Sequence, residues 1–362
     1  MIRVYNYIDT EKEQYDFSEK KVIIWGKAFS ALDLFVELKA RGVEVIGFTD
    51  TFTEEKNTMF AGLRVWTFDE LQAMKGIVIY ISTQNTIYLK QIFEKTDLLK
   101  DAVILARGRV YGSGEYDVQA LSEKIRQDKE QISSIRNSLC DSKSIKTYNN
   151  LLEYRMSNQN RLIEEICETG HKQYFPEREI LVPEDGEVFI DAGGYNGATS
   201  CEFAKYNSKY AQIYMMEPDE IMFAVAQEYI KLNKLQNVLC INKAAYSHTT
   251  ELSFNSDFGS GSSRIDDTEG RTRIKTISID EMLEGKECTF IKMDIEGAEM
   301  EALKGAKKSI TKYHPKLAIS IYHKEDDLWK IPYVIKQTWP EYKLYMRHYT
   351  YITTETVLYA TV

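Results

Sequence analysis

Short apolar runs alternate with helix-spaced apolar residues along most of the chain. Val22-Ile23-Ile24-Trp25 suits a strand buried on both faces. Leu32, Phe35, Val36 and Leu38 follow at helical spacing, and Gly42 supplies a stop. Residues 43–48 read as a second strand leading to Asp50, residues 77–81 as a third, and Val103-Ile104-Leu105 as a fourth. Phe68-Asp69-Glu70-Leu71 starts one helix, and residues 88–93 form another. Strands alternating with helices predict a parallel sheet. A small Rossmann-like unit over residues 20–110 therefore fills a first domain of residues 1–111.

Gly112-Ser113-Gly114 punctuates the chain. Residues 112–158 then read as a helical linker. Val118, Leu121, Ile125, Ile132, Ile135 and Leu139 fit heptad positions, with Asp128 breaking the series. Two readings stay open here: a long helix forming a short coiled coil, and with it a homodimer, or a helix packed on a neighbouring domain. A second domain spans residues 159–362. It has strands at 188–190, 212–216, 237–242, 288–293 and 317–322, helices at 221–232 and 298–303, and a β-rich tail from 343. The alternation repeats, so this domain also predicts a doubly wound sheet.

Composition narrows the class. At 362 residues the chain is long for one domain, and 43% hydrophobic with 28% charged residues is ordinary for a globular protein. A net charge of -9 with no block of Lys and Arg argues against nucleic acid as the main partner. No apolar stretch approaches the roughly 20 residues needed to span a bilayer, and residues 1–17 lack the form of a signal peptide. The five cysteines are scattered and never spaced C-x-x-C, so neither a disulfide framework nor a zinc site is expected. Together these predict a cytoplasmic protein with reduced thiols.

The strongest local signal is Asp191-Ala192-Gly193-Gly194-Tyr195-Asn196-Gly197. An acid ends a buried strand, glycines follow at D-x-G-x-x-x-G spacing, and a helix begins. Glycine lets a backbone approach a ligand closely, and a helix start offers unpaired N–H groups. A nicotinamide dinucleotide site needs G-x-G-x-x-G. Counting from Gly193, its next two glycines would fall on Tyr195 and Ala198, so the pattern fails twice. A loop headed by Asp191 suits a ligand with positive charge and no pyrophosphate. S-adenosylmethionine, with its amine and sulfonium, meets both conditions. Glu217 ends the next strand, ahead of Pro218, where a carboxylate can accept both ribose hydroxyls; the plainer reading is a solvated strand-end acid.

The second informative run is Lys292-Met293-Asp294-Ile295-Glu296-Gly297-Ala298-Glu299. Alternation puts Lys292, Asp294 and Glu296 on one side of a strand. Charges in a central strand are costly unless paired or solvated. Asp294 and Glu296 are thus expected to face a methyl donor or acceptor, as base or metal ligand, while Glu299 reads equally as a helix N-terminal acid.

On these residues the segment from about 188 to 362 resembles the FkbM family of methyltransferases. The likeness rests on the D-x-G-x-x-x-G loop, Glu217-Pro218, Asn242-Lys243-Ala244-Ala245, Gly261-Ser262-Ser263, residues 276–280, and the K-x-D-x-E-G-x-E run with Leu303-Lys304-Gly305. The charged run is its most specific part; the glycine loop alone indicates a class I methyltransferase. The resemblance implies an α/β chain whose C-terminal sheet is of the class I methyltransferase type. It implies methyl transfer from S-adenosylmethionine, usually to a hydroxyl, often on sugars. Asp191, Gly193, Gly194, Asn196, Gly197, Glu217, Pro218, Ala244 and Asp294 would line the cofactor site. One departure is Gly194-Tyr195, where relatives often have a small residue and then Asn.

A sugar hydroxyl needs a base or a metal to react at neutral pH. His323, just past the fifth strand, is the first choice as base, because imidazole suits neutral-pH proton transfer. His348 in the tail is the second. Asp294, Glu296 and His323 could instead gather a divalent metal, a less favoured reading. In the first domain, Gly26 keeps only the first glycine of a dinucleotide loop, and Asp50 stands where a ribose-binding acid would. That unit resembles small Rossmann-like domains beside sugar-modifying enzymes. Nucleotide-sugar binding, protein docking and a degenerate spacer all remain open for it. The leading expectation is therefore an O-methyltransferase for a carbohydrate, glycan or nucleotide-linked sugar. Its rivals are a nicotinamide-dependent sugar oxidoreductase or epimerase and a non-catalytic two-domain binding protein.

Overall fold

A computed structural model describes residues 8–9, 15–27, 29–51, 53, 56–82, 86–106, 118–157, 159–168, 170, 172–255, 264–265, 272–350 and 353–362. The boundary glycines 112–114 and the Gly261-Ser262-Ser263 motif lie outside them. The chain divides into two compact units. The first takes residues 1–118, 153–165 and 350–353; the second takes 119–152, 166–349 and 354–362.

The first unit is built on strands β1 (Ile8–Asp9), β2 (Lys21–Trp25), β3 (Val45–Thr49), β4 (Thr58–Phe60), β5 (Leu63–Val65), β6 (Ile77–Ile81) and β7 (Val103–Ala106). Between them run helices α1 (Phe29–Ala40), α2 (Phe68–Gln72) and α3 (Thr86–Thr96). The sheet order is β1-β7-β6-β2-β3-β5-β4, parallel except for the β4–β5 hairpin. Every residue of β6 is buried, because the sheet is covered on both faces. Val22, Ile24, Val78 and Tyr80 meet Leu34 and Leu38 of α1 on one side. Ile23, Ile77, Ile79 and Ile81 meet Leu89 and Phe93 of α3 on the other. Thr67 starts α2 with a reciprocal capping box to Glu70. The hairpin was not expected, since its strands are only three residues long.

In the second unit, the expected single linker helix is two helices, α4 (Val118–Gln127) and α5 (Lys129–Ser138), followed by α6 (Ser142–Ser157), which runs on into the first unit with α7 (Asn160–Glu164). The break is at Asp128, whose carboxylate accepts the indole N–H of Trp329 at 2.8 Å. Leu121 and Ile135 are buried in the chain's own core, so these heptad positions offer no exposed seam.

The main sheet uses β8 (Val188–Ala192), β9 (Gln212–Met216), β10 (Val238–Ile241), β15 (Phe290–Met293), β16 (Lys316–Ser320), β17 (Lys343–His348) and β18 (Thr356–Thr361). Their order is β10-β9-β8-β15-β16-β18-β17. The first five run parallel, and β18 lies antiparallel to both its neighbours. A second, four-stranded sheet joins β11 (Ala244–Ala245), β12 (Glu251–Asn255), β13 (Arg264–Ile265) and β14 (Thr272–Ile277). The helices are α8 (Ala198–Tyr206), α9 (Glu220–Leu232), α10 (Ile279–Leu283), α11 (Glu299–Gly305), α12 (Lys307–Tyr313) and α13 (Asp327–Thr338). The two-sheet α/β class expected from the alternation is the class observed. No helix among the described residues is long and apolar enough to cross a membrane.

Candidate active site

Four parallel strands, β8, β9, β15 and β16, deliver the candidate groups at their carboxyl ends. This is where open α/β sheets hold ligands. Asp191 sits in β8 and is fully buried. Its carboxylate lies 3.1 Å from Lys292 Nζ of β15 and accepts the Ser200 hydroxyl at 2.7 Å. Lys292 is buried too, and donates to the carbonyls of Gly193 at 2.6 Å and Ala192 at 3.2 Å. The charge of Asp191 is thus answered within the fold, by a lysine on the neighbouring strand. Asp191 is thereby tied to β15 through Lys292 and to α8 through Ser200.

The glycines also have a packing reason. Gly193 has φ +78°, and a β-carbon there would stand 1.8 Å from the carbonyl oxygen of Asp294. At Gly194 a β-carbon would meet the Met215 sulfur at 2.4 Å. The loop is wedged against the ends of β15 and β9, and both its first N–H groups bind Met216 O. Asn196 accepts the N–H of Ala198 at 3.1 Å, and Gly197 stands at the start of α8.

Glu217 follows β9 and is 7% exposed. Its two carboxylate oxygens accept the N–H groups of Asp219 at 2.8 Å and Tyr195 at 2.9 Å. Burial pushes its pKa up to about 7, against the pull of those two N–H groups. Pro218 is partly buried, its carbonyl accepting Asn242 Nδ2 at 3.2 Å. Ala244 lies in β11, opposite Thr276 in the small sheet.

Asp294, Glu296 and His323 do come together. The imidazole Nε2 is 3.3 Å from Asp294 Oδ1 and 3.5 Å from Glu296 Oε2. On the other side, Nδ1 is 2.9 Å from Oε1 of Glu299, which also accepts the N–H of Ile295 and so helps to start α11. Burial works against charge on His323, yet Glu299, then Asp294 and Glu296, lift its pKa to about 9. Three carboxylates thus favour the imidazolium over the neutral ring. Burial opposes ionisation of Asp294 too, but Lys292 and His323 outweigh it and hold this carboxyl below its ordinary range.

His348 is wholly buried in β17, its Nδ1 2.8 Å from the Thr356 hydroxyl. A ring with no exposed surface is poorly placed to meet an acceptor. Gly26 and Asp50 belong to the first unit. Asp50 pairs with Lys27 at 2.5 Å and accepts the N–H of Thr53 at 2.6 Å, so its carboxylate is already engaged.

Several groups were not anticipated. The hydroxyls of Tyr174 and Tyr322 donate to Asp294 at 2.7 and 3.1 Å. Glu355 lies beyond Tyr322, 3.4 Å from its hydroxyl, and burial, then Asp294, raises its pKa to about 7. Asp327, at the start of α13, is raised to about 6 by burial and then by Glu299. Tyr322 directly precedes His323 in the sequence. Tyr174 and Glu355 lie far away along the chain, in segments without a motif.

Residues 191–353 match the family model described as the methyltransferase FkbM domain. No curated protein matches the chain. Among solved structures, methyltransferase FkbM from Methylobacillus flagellatus KT is 22% identical, with 94% of this chain and 90% of that one covered and a TM-score of 0.58. An rRNA methylase from Streptococcus thermophilus is 14% identical, covering 53% of this chain and 97% of that one, with a TM-score of 0.36. A SAM-dependent methyltransferase from Aquifex aeolicus is also 14% identical, covering 51% and 86%, with a TM-score of 0.32.

Proposed function

The chain is an S-adenosylmethionine-dependent methyltransferase with an FkbM domain at residues 191–353, and we propose that it methylates a hydroxyl oxygen of a carbohydrate acceptor. One observation carries the reading: the glycine loop and the charged cluster touch. Gly193 is packed directly on the carbonyl of Asp294. Groups suited to a methyl donor thus adjoin groups suited to an acceptor's proton.

The residues present fit the donor. Glu217 projects toward the loop, as its bond to the Tyr195 N–H records. It would accept the ribose hydroxyls, with two further lone pairs available beside the two N–H bonds. The backbone of residues 193–197 would lie along the ligand, with Asn196 and Pro218 at its margins. When bound, S-adenosylmethionine supplies an electrophilic methyl group. The protein's task is to align the acceptor oxygen with it and to accommodate the departing proton. Asp294, Glu296 and His323 form the polar wall for that task, with Tyr174 and Tyr322 orienting Asp294. The carbohydrate class is supported by the sequence resemblance described above, in which sugars are frequent acceptors. A cytoplasmic location fits the reduced cysteines of that reading.

Calorimetry with S-adenosylhomocysteine and with NADH tests the cofactor. Binding of the first is expected; firm NADH binding without it would overturn the reading. His323→Ala should abolish turnover on a methylated glycan, scored by mass spectrometry, while leaving S-adenosylhomocysteine affinity nearly intact. Unchanged turnover would remove His323 from the site.

A further inference from the structure

Negative charge outweighs positive charge at the end of β15 and β16. Around Asp294 and His323 stand Glu296, Glu299, Asp327 and Glu355. Among the described residues the cations facing them are Lys292, His323 and Lys324. Lys292 is held by Asp191 and by two backbone carbonyls. Five carboxylates thus face two lysines, one of them already committed, and one imidazole.

A second observation is independent of that imbalance. The His323 side chain is 7% exposed and that of Glu299 is 1% exposed. Both ring nitrogens of His323 and Oε2 of Glu299 are buried without a hydrogen-bond partner among the described residues. Buried polar atoms are rarely left this way. Nε2 faces Asp294 and Glu296, and Nδ1 faces Glu299.

We propose that Asp294, Glu299 and His323 hold a divalent cation, the imidazole giving up its proton to bind it, with Glu296 at the rim. One ligand atom from each of the three lies within 4.8 Å of the others. Ligands at about 2.1 Å from an octahedral ion are about 3 Å apart when adjacent and about 4.2 Å when opposite. An ion takes only one ring nitrogen, and the 2.9 Å approach at Nδ1 and the 3.3 Å approach at Nε2 each match the adjacent spacing. Two carboxylates and one imidazole make a mixed oxygen and nitrogen set, which suits Mn²⁺ or Mg²⁺ better than a thiolate-seeking ion. Two buried tyrosine hydroxyls on Asp294 would fix that ligand's direction.

This rests on the oxygen-methylation reading and gives it a means. A cation here would bind the acceptor oxygen and lower its pKa. The O–H proton passes to water, the oxygen forms a bond to the methyl carbon, and the carbon–sulfur bond breaks with its electron pair going to sulfur. One proton is released for each methyl transferred.

The test uses the full chain, freed of metal with a chelator and titrated with Mn²⁺. Loss of the free-ion signal in electron paramagnetic resonance reports binding, and S-adenosylhomocysteine affinity is measured in parallel by calorimetry. One Mn²⁺ per chain is expected, competed by Mg²⁺. Asp294→Asn and Glu299→Gln should each weaken it at least tenfold. Glu296→Gln, at the partly exposed rim, should weaken it several-fold without risk to folding. A wild-type chain that binds the homocysteine product but no Mn²⁺ overturns the cation site and leaves methyl transfer standing. Mn²⁺ binding unaltered by all three variants places the ion elsewhere and also overturns it. Failure to bind the homocysteine product counts against the proposed function, whatever Mn²⁺ does.

Discussion

Glu217 should make cofactor affinity depend on pH, because burial leaves its carboxyl with a pKa of about 7 where 4.5 is ordinary. Ribose hydroxyls donate to a carboxylate, so the ligand favours the ionised form. Binding then releases a proton, and affinity rises with pH through neutrality. The size follows from the ionised fraction: about 10% at pH 6 and about 90% at pH 8, hence a roughly tenfold tighter apparent Kd across those two units. At pH 7 about half a proton should leave per ligand bound. Titration calorimetry with S-adenosylhomocysteine in two buffers of different ionisation enthalpy reads both quantities. Glu217→Gln is the control, since any titration of the ligand itself survives in it and subtracts. It should bind more weakly and lose the added pH dependence. A wild-type pH profile that parallels the Gln variant would refute the reasoning. For stability the sign is opposite. Between about pH 4.5 and 7 the folded chain keeps a proton that the unfolded chain gives up, so Glu217 makes folding less favourable as pH rises through that window.

Two further changes test the loop. Gly193→Ala puts a β-carbon 1.8 Å from the Asp294 carbonyl and also strains a φ of +78°. Gly285→Ala has a similar φ of +82° but meets nothing within 4 Å. The second should cost only the left-handed strain, about 1–2 kcal/mol, and the first clearly more; equal losses of Tm would remove the wedge argument. Lys292→Met leaves Asp191 buried and uncompensated, an expected cost of about 3–5 kcal/mol in urea unfolding. Adding Asp191→Asn should recover part of it, and no recovery would mean that the pair is not coupled.

Strand positions were legible because burial on both faces writes them as unbroken apolar runs. Ile77–Ile81 and Gln212–Met216 fall where the pattern predicts. The small sheet was not legible. Ala244–Ala245 has two residues, and Glu251–Asn255 alternates too briefly to stand out from a loop. Its pairings join residues far apart in sequence, such as Leu252 with Ile274, and no local spacing announces them. The division of the linker helix has a similar origin. The heptad positions are real, but one side chain, Asp128, finds Trp329 some 200 residues later and breaks the helix.

The site divides along the same line. Residue types at strand ends located Asp191, Glu217, Asp294 and His323, because a parallel sheet sends its carboxyl ends to one edge whatever else the chain does. What each group does there depends on its neighbours, and those came from elsewhere. Asp191 reads alone as a ligand for positive charge; Lys292, 101 residues on, takes that charge for the fold. His323 reads alone as a neutral base; Glu299, lodged at the first turn of α11, turns it toward imidazolium. Both groups gain a buried partner that their own place in the sequence does not announce. Asp294 differs from both. Two tyrosine hydroxyls and two cations hold it ionised at the edge of the cluster, and about a quarter of its side chain stays open. Of the acids named from sequence, it is the one whose neighbours increase its capacity to act on something outside the fold.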